Sequence, residues 1–210
     1  MNLALVIITC PGREEMLHKT IDALNQTDYG RPALIQFDTN TCERRQERQE
    51  RNALAALELV LREQPHAEVI LFCEDDIVFN RHLRWNLERW KPLLIALHNG
   101  DKFFGSLYDP TIREVFASPL DNYFIADPAA VYGSQCFVLT RPMAEYCVAH
   151  WWEVAGMQDI KMSRLAARDV KIHYHLPSLV QHVGVKSTWT EDSRFHDTKM
   201  FEWNFKSTAI

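Results

Sequence analysis

Residues 69–79 read Val-Ile-Leu-Phe-Cys-Glu-Asp-Asp-Ile-Val-Phe, an apolar run cut by three consecutive carboxylates before it resumes. A strand buried on both faces excludes such a triplet, because an uncompensated carboxylate in an apolar interior is strongly unfavourable. The acids must stand where the strand leaves its sheet, in water or against a cation. In open α/β sheets, ligands bind in the crevice beyond the carboxyl ends of the strands. Hard divalent ions take oxygen ligands, and Mg²⁺ is commonly held by only one or two carboxylates together with substrate phosphates. Glu74, Asp75 and Asp76 therefore read as half of a metal and phosphate site, with a solvated acidic turn as the alternative.

The chain before the triplet supplies a frame for it. Leu3 to Ile8 is an apolar run closed by Thr9-Cys10-Pro11-Gly12, and Met16, Leu17, Ile21 and Leu24 carry helical spacing from Arg13 to Asn25. A second short run, Ala33 to Asp38, follows Pro32 and ends on an acid. Leu54, Leu57, Val60 and Leu61 mark a helix over Glu47 to Glu63, which Pro65 stops. Strand, helix, strand, helix, strand is the repeat that builds a parallel sheet with right-handed crossovers.

Downstream, the pattern predicts a helix over 82–97, a strand over 103–107 and an aperiodic loop over 108–130. A strand over 131–140 leads into a helix opened by Arg141-Pro142 and running to Trp151. A further helix over 158–167, a strand over 170–175 and the run 176–184 complete the reading. Without repeats or a linker, the 210 residues are expected to form one domain. Its first half, 1–76, is expected to be of a nucleotide-binding type, with 77–210 as the second half.

A net charge of −5 excludes a nonspecific binder of nucleic acid or anionic membrane. Any phosphate must then be met by local cations or a metal. No segment approaches the roughly 20 apolar residues of a membrane helix, so no transmembrane segment is expected. The first residues lack a basic leader pattern. Cys10, Cys42, Cys73, Cys136 and Cys147 are scattered and odd in number, which fits reduced thiols and a cytoplasmic location. The mixed-sign run Glu43 to Arg51 reads as a solvated helix start, with Arg51 or Asn52 turned toward the ligand crevice as the alternative.

Taken together, the strand-end Glu74-Asp75-Asp76, the later Pro177-Ser178-Leu179-Val180-Gln181-His182-Val183-Gly184 and the leading strands and helices resemble glycosyltransferases of the GT-A fold. The later motif is especially similar to the N-acetylglucosaminyltransferase IV group and its bacterial relatives. The resemblance implies an α/β, Rossmann-like single domain with a mixed, mainly parallel central sheet flanked by helices. It implies Asp76 and His182 as ligands of Mn²⁺ or Mg²⁺, with Glu74 and Asp75 at the nucleotide. Thr9, Pro11 and Arg13 match the first loop around base and ribose, and Asp38 the second-strand acid. Asn52, Lys186 and Ser187 join the expected donor-binding set, the last two near the diphosphate. Asp159, in Gly156-Met157-Gln158-Asp159-Ile160, is the candidate base that takes the acceptor hydroxyl's proton, against an N-cap role for it.

The implied activity is a metal-dependent, inverting transfer from a nucleotide sugar, expected to be a UDP-sugar, to a hydroxyl of a glycan or other acceptor. That makes it a hexosyltransferase or N-acetylhexosaminyltransferase. A nucleotidyltransferase and a noncatalytic GT-A-like binding domain are the alternatives; the first would carry a Gly-rich basic loop after the first strand, where this chain has Thr9-Cys10-Pro11-Gly12-Arg13. Tyr132, Trp151, Trp152 and Trp189 are candidates for stacking on a base or sugar, and the tail 188–197 for covering the donor.

Overall fold

The computed structural model describes residues 1–110, 122–127, 131, 133–184, 198 and 200–208. Nine strands and six helices are distinct among them, in the order β1 (Leu3–Thr9), α1 (Glu14–Asn25), β2 (Leu34–Phe37), α2 (Arg45–Glu63), β3 (Val69–Glu74) and β4 (Ile77–Phe79). Then come α3 (Leu83–Leu87), α4 (Lys91–Asn99), β5 (Phe104–Ser106), β6 (Tyr123–Ala126), β7 (Cys136–Thr140) and α5 (Arg141–His150). A 3-10 turn at Trp151–Glu153, α6 (Gln158–Ala166), β8 (Ile172–His175) and β9 (Val180–His182) follow.

Seven strands form one sheet in the order β2-β1-β3-β7-β5-β8-β6. β1 pairs in parallel with β2 and β3, and β5 with β8, while β7 and β6 run against their neighbours. Five of the seven strands thus share one direction, which makes the sheet mixed and mainly parallel; the strand and helix order predicts its parallel β2-β1-β3 part. All seven residues of β1 are buried, so both of its faces must be apolar. Leu3, Leu5 and Ile7 face the layer of α1, α3 and α4, with Leu24, Leu87 and Trp90; Ala4, Val6 and Ile8 face that of α2, α5 and α6, with Leu57, Val60 and Met162. Each fully buried side chain of this size contributes roughly 1.5–3 kcal/mol.

Three expectations are corrected. The acid-bearing run is two strands, not one: β3 ends at Glu74, and β4 pairs antiparallel with β9 in a separate two-stranded sheet. The triplet is the bend between them, which lets the chain turn out of the main sheet without burying bare carboxylates inside it. The segment 82–97 is two helices, because Pro92 suits only the first turn of a helix and opens α4 there. The aperiodic region 108–130 contains β6, an edge strand held by β8 rather than by its own pattern.

Candidate active site

β1 lies between β2 and β3, so the chain leaves it to one side through α1 and returns to the other through α2. The gap beyond the carboxyl ends of β1 and β3 is therefore a topological switch point, where opposed crossovers leave a crevice. Thr9 ends β1 and Glu74 ends β3 at this place. Thr9 Oγ1 donates across the gap to Asp75 Oδ2 at 2.5 Å.

Arg13 precedes α1 and reaches back over the same gap. Its Nε donates to Asp75 Oδ1 and Oδ2 at 2.8 and 2.9 Å, and its Nη2 lies 2.6 Å from both Asp75 Oδ1 and Asp76 Oδ2. Thr20, on the buried face of α1, donates to the backbone oxygens of Asp75 and Ile77 at 2.7 and 3.0 Å and accepts from Ile77 N at 3.2 Å. That hydroxyl clamps the bend that carries the acids. A polar residue on the apolar stripe of Leu17 and Leu24 was the available signal for it.

From the far side comes β9. Ile77 stands opposite His182 in the β4–β9 ladder, and His182 Nε2 is 3.2 Å from Asp76 Oδ2. Val183 N donates to Asp76 O at 2.8 Å. Asp75 and Asp76 are buried, at 3% and 5% exposure. Burial alone would raise the Asp76 carboxyl, but His182 and Arg13 hold it below its ordinary value. Arg13 is in turn driven upward by Asp75 and Asp76 against its own desolvation, so it stays charged. Asp76 Oδ1 is buried and has no hydrogen-bond partner among the described residues.

Glu74 has different company. Its Oε1 accepts from Ser134 Oγ and from Gln158 Nε2 at 3.1 Å, and Gln158 Nε2 also donates to Ser134 Oγ at 2.6 Å. Burial, with Asp76 and Asp75 adding repulsion, pushes the Glu74 carboxyl up to about 7. Ser134 and Gln158 were not anticipated as partners of Glu74, since nothing in their spacing from it marks them.

Asp38 and Asn52 form the β2 side. Asp38 N and Asn52 Nδ2 both donate to Thr9 O, at 2.9 and 3.2 Å. Asp38 is itself buried and accepts from Arg48 Nη2 at 2.8 Å and from Asn40. Asn52 therefore supports the β1 loop, while Arg51 pairs with Glu47 at 2.8 Å on the exposed face of α2. Pro11 is exposed in the turn after β1.

Asp159 is not the N-cap; Met157 is, and Asp159 lies inside the first turn of α6. Its Oδ2 accepts from Gly133 N at 3.0 Å and its Oδ1 from Ile160 N at 2.9 Å. It thereby holds the 133–134 segment whose Ser134 meets Glu74, one residue from Gln158. Trp151 is fully buried, whereas Trp152 is 58% exposed. Lys186, Ser187, Tyr132, Trp189 and the tail 188–197 lie outside the described residues.

Asp76 and His182, with Oδ2 and Nε2 3.2 Å apart, are the two side chains that would hold a divalent cation here. The partnerless Asp76 Oδ1 leaves an acceptor still to be satisfied. Among the described residues, no three His, Cys, Asp or Glu side chains converge on a metal position. The donor set therefore fits an ion that takes its remaining ligands from phosphate and water.

No protein-family model matches this chain, and no curated protein does. Among the described residues, no helix is long and apolar enough to cross a membrane. Among solved structures, the chain is similar to the crystal structure of a glycosyltransferase involved in the glycosylation of the major capsid of PBCV-1. That likeness has a TM-score of 0.49 and 11% identity, over 89% of this chain and 95% of the other. A likeness of this size assigns neither family nor reaction, and the functional reading rests on the side chains at the switch point.

Proposed function

We propose that this protein is a metal-dependent, inverting glycosyltransferase that moves a sugar from a nucleotide sugar, a UDP-sugar by preference, to a hydroxyl of a glycan or other acceptor. The observation that carries the reading is the meeting of Asp76, Arg13 and His182 at the switch point: two cationic or imidazole groups from distant parts of the chain converge on one oxygen of Asp76. The sequence resemblance to GT-A enzymes points the same way.

In this reading, the crevice lined by Thr9, Pro11 and Asp38 receives the nucleoside, with Asn52 supporting the β1 loop from behind. Asp76 and His182 hold Mn²⁺ or Mg²⁺, which when bound supplies Lewis-acid neutralisation of the departing diphosphate. Arg13 adds a fixed positive charge beside the same phosphates. Glu74 and Asp75 face the donor, Glu74 oriented by Ser134 and Gln158. Lys186 and Ser187 complete the phosphate contacts. Asp159 accepts the proton of the attacking hydroxyl, which requires the acceptor to come within hydrogen-bond reach of its carboxylate.

Titration calorimetry with UDP, GDP and CMP, each with and without Mn²⁺, tests the binding half of this reading, and release of UDP from a panel of UDP-sugars tests the reaction. Nucleotide binding that depends on Mn²⁺ and is lost in Asp76→Asn is the expected result. Equal binding with and without metal removes the metal; tight binding of nucleoside triphosphates alone replaces sugar transfer with nucleotidyl transfer.

A further inference from the structure

The arrangement of Arg13 has a consequence for how a cation can enter. Its Nη2 lies 2.6 Å from Asp76 Oδ2, the same oxygen that His182 Nε2 approaches to 3.2 Å. A cation shared by Asp76 and His182 would sit against the guanidinium, and two positive charges at such range repel strongly away from bulk water. Arg13 cannot escape by losing its proton. Its bond to Asp76 can be exchanged, because Nη2 carries two N–H groups: one meets Asp75 Oδ1 and the other Asp76 Oδ2, so Nε and the first keep Asp75 when the second turns to a new acceptor. Among the described residues, Arg13 is the only Lys or Arg paired with these two acids.

Building on the nucleotide-sugar reading above, we infer that Arg13 is an exchangeable counter-ion of the cation site. In the free protein it occupies Asp76; when a nucleoside diphosphate and a divalent cation arrive, Nη2 passes from Asp76 to a phosphate oxygen while Nε keeps Asp75. A planar guanidinium with five donors can serve a carboxylate and a phosphate at once, which an ammonium on a flexible stem does poorly. Metal alone then binds weakly, because it must displace Arg13 without offering it a new partner. Metal and diphosphate each raise the other's affinity by the same factor.

The test is a Mn²⁺ titration, read by the electron paramagnetic resonance signal of free Mn²⁺, with and without UDP. Wild-type protein is compared with Arg13→Met and Arg13→Lys. Without nucleotide, Arg13→Met is expected to bind Mn²⁺ about tenfold more tightly than wild type, the scale set by one charge-assisted hydrogen bond. UDP is expected to raise Mn²⁺ affinity in wild type by a larger factor than in Arg13→Met. At saturating Mn²⁺, Arg13→Met is expected to bind UDP about tenfold more weakly. Arg13→Lys should fall between the two proteins, and it provides the same comparison should Arg13→Met not fold.

Mn²⁺ affinity that is unchanged or weaker in the variants, while wild type still binds Mn²⁺ with UDP, overturns the exchange and leaves the glycosyltransferase reading standing. UDP affinity unchanged by Arg13→Met at saturating Mn²⁺ overturns the phosphate half of the exchange. A wild-type protein that binds no Mn²⁺ with UDP, GDP or CDP overturns both the exchange and the metal-dependent reading.

Discussion

Gly184 packs against Asp76 so closely that it has no room for a side chain. A Cβ there would fall inside van der Waals contact of Asp76 Oδ2 and lie 2.8 Å from His182 Nε2. Gly184→Ala must therefore push either the carboxylate or the imidazole aside. Overpacking of this kind costs about 1–3 kcal/mol. The expected outcome is a folded protein whose Mn²⁺-dependent affinity for UDP drops by about tenfold or more, read by calorimetry beside a melting curve. Unchanged affinity would remove the Asp76 and His182 pair from the binding site.

Asp159→Asn separates chemistry from binding. An amide oxygen can still accept from Gly133 N, at the cost of the bond from Ile160 N, so the 133–134 segment should stay in place. A general base contributes on the order of 10²–10⁴ in rate. Turnover is expected to fall by that much while KM for the donor moves little. A fall in donor affinity with kcat preserved would make Asp159 a structural prop instead.

The Lys161–Glu50 pair joins α6 to α2 in the interior, with Nζ 3.2 Å from Oε2 and side chains 2% and 12% exposed. Lys161 also donates to Trp151 O and Val154 O, at 3.1 and 2.6 Å. Lys161→Met strands a carboxylate and two carbonyls, and is expected to cost about 3–5 kcal/mol in urea denaturation. Glu50→Gln leaves the ammonium its two carbonyls and should cost about 1–2 kcal/mol. Equal costs would show that the pair, and not the carbonyl bonds, holds α6.

Stability should fall in mild acid through His175. Burial pushes this imidazole down to about 4, against the opposing pull of its bond to Pro177 O. The unfolded chain takes up the proton near pH 6.5 while the folded chain does not, so stability is full above 6.5 and declines as pH falls toward 4. The loss amounts to about 3 kcal/mol at most. Glu74, raised to about 7 by burial, takes up its proton in the folded chain first and works in the opposite direction over this window. The measure is therefore the difference in urea midpoints between wild type and His175→Gln from pH 7.5 to 4.5, with wild type losing more toward acid. An identical slope in both proteins would assign the acid sensitivity elsewhere.

The frame was readable because its signals are local. β1, β3 and the helices between them follow from apolar runs and from the stripe of Leu54, Leu57, Val60 and Leu61. That β3 ends at Glu74, with Asp75 and Asp76 beyond it, followed from the cost of burying charge. What escaped was set by distant partners. β6 exists because β8 offers it a ladder, and the Ser134, Gln158 and Glu74 network joins three segments with no spacing in common. The double hold of Arg13 was equally invisible, since a side chain at the mouth of a loop does not announce which acids it will reach.

The ladder that sets Ile77 opposite His182 also bears on synthesis. The first three strands can leave the ribosome and pair before β9 has been made, yet the imidazole that shares Asp76 belongs to that late segment. Until it docks, Asp76 can have its arginine but not its imidazole, so the meeting of the three side chains belongs to the last stage of folding.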